Sequence, residues 1–161
     1  MKGGVKMNYE LVMLRGIPYC KKTAQRLQKQ CLSTALRSFS SSQAKGGTLG
    51  QMTEVAELAR MRDDFLYFLS CVKSALTALP DSFRALLVEI YIKNTSKEHI
   101  CQTYGVSMST LYRKLARARQ CFKGKLEFLG CDEQWFENTY GDTDWVRKLL
   151  DKQHNGSRIA L

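Results

Sequence analysis

The sequence predicts an all-α protein: a helical bundle with a helix-turn-helix in its C-terminal half, and no winged element beside it. Three observations predict this. Residues 95–119 read as two helices meeting at a glycine, the second rich in arginine. Just upstream, residues 80–91 carry an amphipathic helical pattern. Further upstream, Phe65, Leu69, Val72, Leu76 and Leu79 recur at steps of four and three, as in a short coiled-coil seam.

Taken in order, residues 1–18 fit no single pattern. Residues 19–38 read as a helix with Pro18 at its start. Its cations Lys21, Lys22, Arg26, Lys29 and Arg37 are expected to spread around the axis, either gripping a nucleic-acid backbone or forming a solvated face. Residues 38–50, rich in serine and glycine, read as a linker. A long helix is expected over about 51–78. Its seam fits an intramolecular core, or a homodimer contact through 51–79.

Pro80 suits the first turn of the next helix, where its missing N–H is not needed. Phe83, Leu86, Leu87, Ile90 and Tyr91 form that helix's apolar face. Thr95 or Ser96 then caps the first helix of the motif, and Thr95-x-x-Glu98 has capping-box spacing. Ile100, Cys101 and Tyr104 are expected to face inward, and Gly105 to end the helix in a left-handed conformation. Val106 plugs the core beneath the turn.

Ser107, or Ser109, caps the second helix, expected over 108–120. Met108, Leu111, Leu115, Ala118 and Phe122 form its apolar stripe. Tyr112, Arg113, Lys114 and Arg117 lie off it. A helix with one side for a core and one cationic side has the outline of a recognition helix for the DNA major groove.

Charge follows the same division. The chain of 161 residues carries a net charge of +10 and a pI near 9.4. Residues 1–50 hold nine Lys/Arg and one acid, and residues 93–125 hold eight and one. The segments 51–92 and 126–161 are mildly acidic. A basic excess of this kind favours an anionic partner such as nucleic acid. Lys93, Lys97, Lys114, Arg117, Arg119, Lys123 and Lys125 are the candidates for salt-dependent phosphate attraction.

These residues also resemble a family. Leu79-Pro80 and its apolar helix, Thr95-Ser-x-Glu98-x-Ile100, Gly105-Val106-Ser107, Thr110-Leu111 and Leu115-x-Arg117-Ala118-Arg119 are together similar to region four of bacterial sigma factors. The same module looks like the DNA-binding head of small phage and mobile-element transcriptional activators. The resemblance covers roughly residues 76–125. It implies base contacts from Ser107, Ser109, Thr110, Tyr112 and Arg113, and phosphate contacts from Arg117 and Arg119. The upstream residues do not fit the second domain that a complete sigma factor carries, and Cys101 stands where a small residue is usual.

Other chemistry is sparse. The six cysteines form no CxxC pair and no zinc spacing, so they are expected to be reduced and mostly buried. There is no phosphate-binding glycine loop, HExxH or GxSxG. Asp63-Asp64 has no histidine near it. No apolar run reaches membrane-span length, and Asn8, Glu10 and Arg15 interrupt any signal-peptide core. The expectation is a non-enzymatic binder of double-stranded DNA, cytoplasmic and nucleoid-associated, without cofactor, metal or membrane. RNA polymerase is a further partner to test.

Three functions fit. The first is a transcriptional regulator of bacterial, phage or mobile-element type. The second is a divergent sigma factor that binds core polymerase. The third is a non-transcriptional DNA-binding subunit, such as a terminase small subunit or recombination accessory. By sequence the chain divides into 1–50, 51–79, 80–125 and 126–161. In the last part, Trp135 and Trp145 are expected to pin the tail onto the head. Asp142 or Thr143 is expected to cap a final helix that contains Trp145, Val146, Leu149 and Leu150.

Overall fold

The protein is all-α. The structure, a computed structural model, describes residues 8–40 and 48–158, and among them seven α-helices and no strand. They are α1 (Tyr9–Ser40), α2 (Thr48–Thr77), α3 (Asp81–Leu87), α4 (Lys97–Tyr104), α5 (Met108–Phe128), α6 (Glu133–Tyr140) and α7 (Asp144–Arg158). A π-helical turn, Val88–Ile92, follows α3. The chain forms two compact units, residues 1–17 with 71–161, and residues 18–70.

The first correction is at α1. It starts at Tyr9, so Pro18 lies inside the helix and does not begin it. An interior proline removes one N–H bond and costs about 3 kcal/mol. Leu11, Val12, Met13, Leu14 and Ile17 are all buried. Burial stabilises each such side chain by about 1.5–3 kcal/mol, so packing outweighs the proline. The expected linker is also shorter, because Ser38–Ser40 close α1 and Thr48–Gly50 open α2. Its remainder, 41–47, lies outside the described residues, as does most of the ambiguous segment before Tyr9.

In the unit of residues 18–70, α1 and α2 run antiparallel. Tyr19 meets Phe65 edge-on at 6.3 Å, Arg62 Nη1 donates to Gln28 Oε1 at 2.6 Å, and Cys31 Sγ donates to the Val55 carbonyl at 3.6 Å. Thr23, Ala24, Leu27, Cys31 and Thr34 make the buried stripe of α1 here. The expected seam is buried at Val72 and Leu76 of α2 and at Leu79 just after it, whereas Phe65 and Leu69 are only half-buried; Phe68, Cys71 and Ala75 are buried beside it.

The other unit holds α3 to α7. Leu87 of α3, Ile100 of α4, and Leu111, Leu115, Ala118, Phe122 and Leu126 of α5 are buried. Helix α5 outruns its expected end at residue 120 by two turns, because Phe122 and Leu126 continue the stripe. It stops where Gly130 takes φ +81 and Cys131 N–H donates to the Leu126 carbonyl at 2.8 Å.

The tail is anchored by Phe136, fully buried, with Tyr9 at 6.0 Å and Tyr140 at 5.7 Å. Trp135 and Trp145 both pack against Tyr140, at 5.5 and 6.0 Å. Both tryptophans thus pack within the tail on Tyr140, and Phe136 joins the tail to Tyr9 of α1. Thr143 precedes α7, with its hydroxyl donating to the Tyr140 carbonyl at 2.6 Å. His154 lies among side chains outside the described ones.

Four cysteines, Cys20, Cys31, Cys71 and Cys131, are buried. Burial pushes the Cys20 thiol up to about 12. Burial, with a hydrogen bond to Cys71, does the same to Cys131. Among the described residues no helix is long and apolar enough to cross a membrane.

Candidate nucleic-acid interface

The candidate interface is built on two capped helices and one glycine. Ser96, not Thr95, caps α4: its Oγ accepts from His99 N–H at 3.2 Å. The hydroxyl of Thr95 instead donates to Glu89 Oε2 at 2.7 Å, so the Thr95–Glu98 capping box does not form. Gly105 ends α4 at φ 63, ψ 36, and Val106 N–H donates back to the Cys101 carbonyl at 3.1 Å. A side chain in that left-handed conformation would cost roughly 1–2 kcal/mol. The turn therefore fixes the angle at which α5 leaves α4.

Ser107 caps α5. Its Oγ accepts from Thr110 N–H at 3.2 Å and donates to Thr110 Oγ1 at 2.9 Å, with Ser109 Oγ 3.1 Å away. Three hydroxyls thus gather at the amino end of α5. All three are engaged in holding that end together, Ser109 through its bond to Ser107 Oγ. Ser109 is exposed on the first turn.

With about 100° between successive residues, the buried stripe of α5 fixes the opposite face. Ser109, Arg113, Ala116, Arg117 and Gln120 lie there, and all are exposed. Arg113, Lys114 and Arg117 form no ion pair with the described residues. Ala116 and Gln120 escaped the sequence reading, although the i+3 and i+7 steps from Arg113 give both.

Tyr112 stands at one flank, 51% exposed, with Lys97 Nζ 4.7 Å from its ring centroid and 3.4 Å from its hydroxyl. Lys114 stands at the other. Lys114 and Arg117 also border an apolar cavity of about 270 Å³ between α3, α4 and α5, lined by Phe83, Leu86, Ile100 and Leu111.

Two expected phosphate contacts are set apart from this face. Arg119 is half-buried, and its Nε is enclosed with no partner among the described residues. Lys123 is half-buried with its ammonium 5.7 Å from the ring of Tyr9. Both lie about 120° or less from the apolar stripe, on the side toward α1. Lys93 is exposed but paired with Glu89 at 2.8 Å. Tyr104, expected inside, is 62% exposed, because α4 is short and buries only Ile100.

The joint before α4 is held by Glu89. Lys93 N–H closes the π-turn onto the Val88 carbonyl at 2.9 Å, and Thr95 N–H reaches the Glu89 carbonyl at 2.9 Å. The Glu89 carboxylate takes both the Lys93 ammonium and the Thr95 hydroxyl, and these hold its pKa below the ordinary value. Asn94 turns the chain with φ 54, a conformation asparagine tolerates better than most residues. Among the described residues no cluster of His, Cys, Asp or Glu could hold a metal ion. No family model, curated protein or solved structure matches the chain.

Proposed function

We propose that the protein is a sequence-specific DNA-binding transcriptional regulator of bacterial, phage or mobile-element type. The observation that carries this is the exposed face of α5, where Ser109, Arg113 and Arg117 stand clear of ion pairs, opposite a continuous buried stripe. A helix held this way by a capped glycine turn can enter the major groove with its first turns against base edges. On this reading Arg113 pairs at two points with a guanine, and Tyr112 and Ser109 meet neighbouring bases. Lys97, Lys114 and Arg117 supply the phosphate attraction. The chain then acts by binding and not by catalysis, and works on the nucleoid, with RNA polymerase as a second partner.

The test is a pull-down of fragmented genomic DNA with the purified protein, sequenced, with and without core polymerase. Enrichment of promoter-proximal sites by the protein alone supports a regulator. Enrichment only with polymerase identifies a sigma factor instead. Enrichment of a packaging or recombination site identifies a non-transcriptional subunit. No enrichment in either arm removes sequence-specific binding. Arg113→Ala is expected to weaken specific binding by about 1–3 kcal/mol and spare non-specific binding.

A further inference from the structure

Helix α1 contains no acidic residue after Glu10. Its cations were expected to be spread around the axis, but in the unit of residues 18–70 several of them converge. Arg26, Lys29 and Arg37, with Gln30, Ser33 and the buried Thr34, line one polar cavity of about 360 Å³ between α1 and α2. From α2 only Glu54 and Leu58 join them, so three cations face one carboxylate. Arg26 and Lys29 form no ion pair with the described residues.

The spacing is that of a helical stripe. Arg26, Lys29, Gln30, Ser33 and Arg37 fall at steps of three and four, and Lys22 extends the same face by one turn. From Arg26 to Arg37 the stripe runs about 16 Å, roughly five base-pair rises along a duplex axis. A solvated face needs no such convergence. On an ordinary exposed helix, cations alternate with acids, whereas α1 carries no acid after Glu10. Hydroxyl and amide donors between the cations add uncharged contacts to phosphate oxygens, as is usual on the backbone of a duplex.

We propose that this stripe is a second docking site for the sugar–phosphate backbone of duplex DNA, separate from the face of α5. It rests on the preceding function only for the identity of the polyanion. The site reads no sequence. It adds affinity and salt dependence.

The test uses the full wild-type chain. Lysines are acetylated with and without a short duplex of mixed sequence, and modification is read by mass spectrometry. Lys29 is expected to lose modification severalfold on DNA, whereas Lys148, on α7, is unchanged. Protection of Lys114 but not Lys29 overturns this site and leaves the α5 interface standing. Protection of Lys29 but not Lys114 supports this site and removes the other. Protection of neither removes both. Inorganic tripolyphosphate serves as a comparison; protection by it and not by duplex means a compact phosphate ligand and overturns the proposal.

A second measurement is the salt dependence of duplex affinity for Arg26→Gln/Lys29→Gln/Arg37→Gln. Its log–log slope is expected to be shallower by about 2–3, at about 0.9 per phosphate released. Sequence preference is expected to stay the same. An unchanged slope overturns the proposal.

Discussion

Lys97 holds its ammonium 4.7 Å above the ring of Tyr112, which ties the first turn of α4 to the second turn of α5. The pair joins two side chains whose sequence-based roles were separate, one for phosphate and one for bases. It also sets the flank of the exposed α5 face. A cation over an exposed ring contributes about 0.5–1 kcal/mol. A double-mutant cycle of Lys97→Met and Tyr112→Leu, read by denaturant unfolding, is expected to give a coupling of that size. Strict additivity would show that the two helices are held by the apolar stripe and the glycine turn alone.

Arg117 and Lys123 share a helix and a charge but not a surroundings. Arg117 is exposed on the outward face, whereas Lys123 is half-buried over Tyr9. Arg117→Ala is expected to flatten the salt slope of DNA affinity by about 0.9, the value for one phosphate. Lys123→Ala is expected to flatten it less and to lower stability instead. Equal slopes for the two variants would mean that α5 meets DNA with a broader face than its packing suggests.

How much of this was legible follows from how local each determinant is. The caps at Ser96 and Ser107 and the turn at Gly105 depend on a few adjacent residues, and the pattern gave all three, with Thr95 as a near miss. Thr95 went astray because its hydroxyl partner, Glu89, lies across a π-turn that no helical period announces. Pro18 misled for a different reason. The local cost of proline is readable, but the burial of Leu11 through Ile17 that offsets it depends on distant parts of the chain. Arg119 and Lys123 were placed with Arg117 by charge. Arg119 and Lys123 are half-buried, which neither their charge nor their angle around α5 announces. The burial of Phe136 is not readable locally, because it depends on Tyr9 at the other end of the chain.

Tyr9 offers a test of the tail junction. Its hydroxyl is buried without a partner among the described residues, and burial followed by nearby carboxylates raises its pKa above the ordinary value. An unsatisfied buried polar group costs about 1–3 kcal/mol. Tyr9→Phe keeps the ring against Phe136 and beneath Lys123, and is expected to leave stability unchanged or raise it. Phe136→Ala, by contrast, opens a cavity and is expected to cost about 3–5 kcal/mol. A clear loss of melting temperature in Tyr9→Phe would reveal a hydrogen bond to that hydroxyl.

The joint between α3 and α4 should respond to acid through Glu89. The Lys93 ammonium and the Thr95 hydroxyl lower its pKa below the ordinary 4.5, and Glu89 in turn raises that of Lys93. The carboxylate is therefore favoured by the fold. Its contribution is fully present above the unfolded pKa and is lost as pH falls through the lower folded value. The Lys93 side has the opposite sign: its contribution is present below the unfolded lysine pKa and is lost as pH rises through the raised folded value. Between those two limits the joint is held on both sides. Backbone amide exchange at Thr95 and His99, compared between wild type and Glu89→Gln at each pH, reads this directly. At neutral pH the wild-type amides are expected to exchange more slowly than those of the variant. As the carboxylate is protonated the two proteins are expected to converge. A difference that persists after Glu89 is neutralised would mean that the π-turn is held by its backbone bonds, Lys93 to Val88 and Thr95 to Glu89, and not by the side-chain charge.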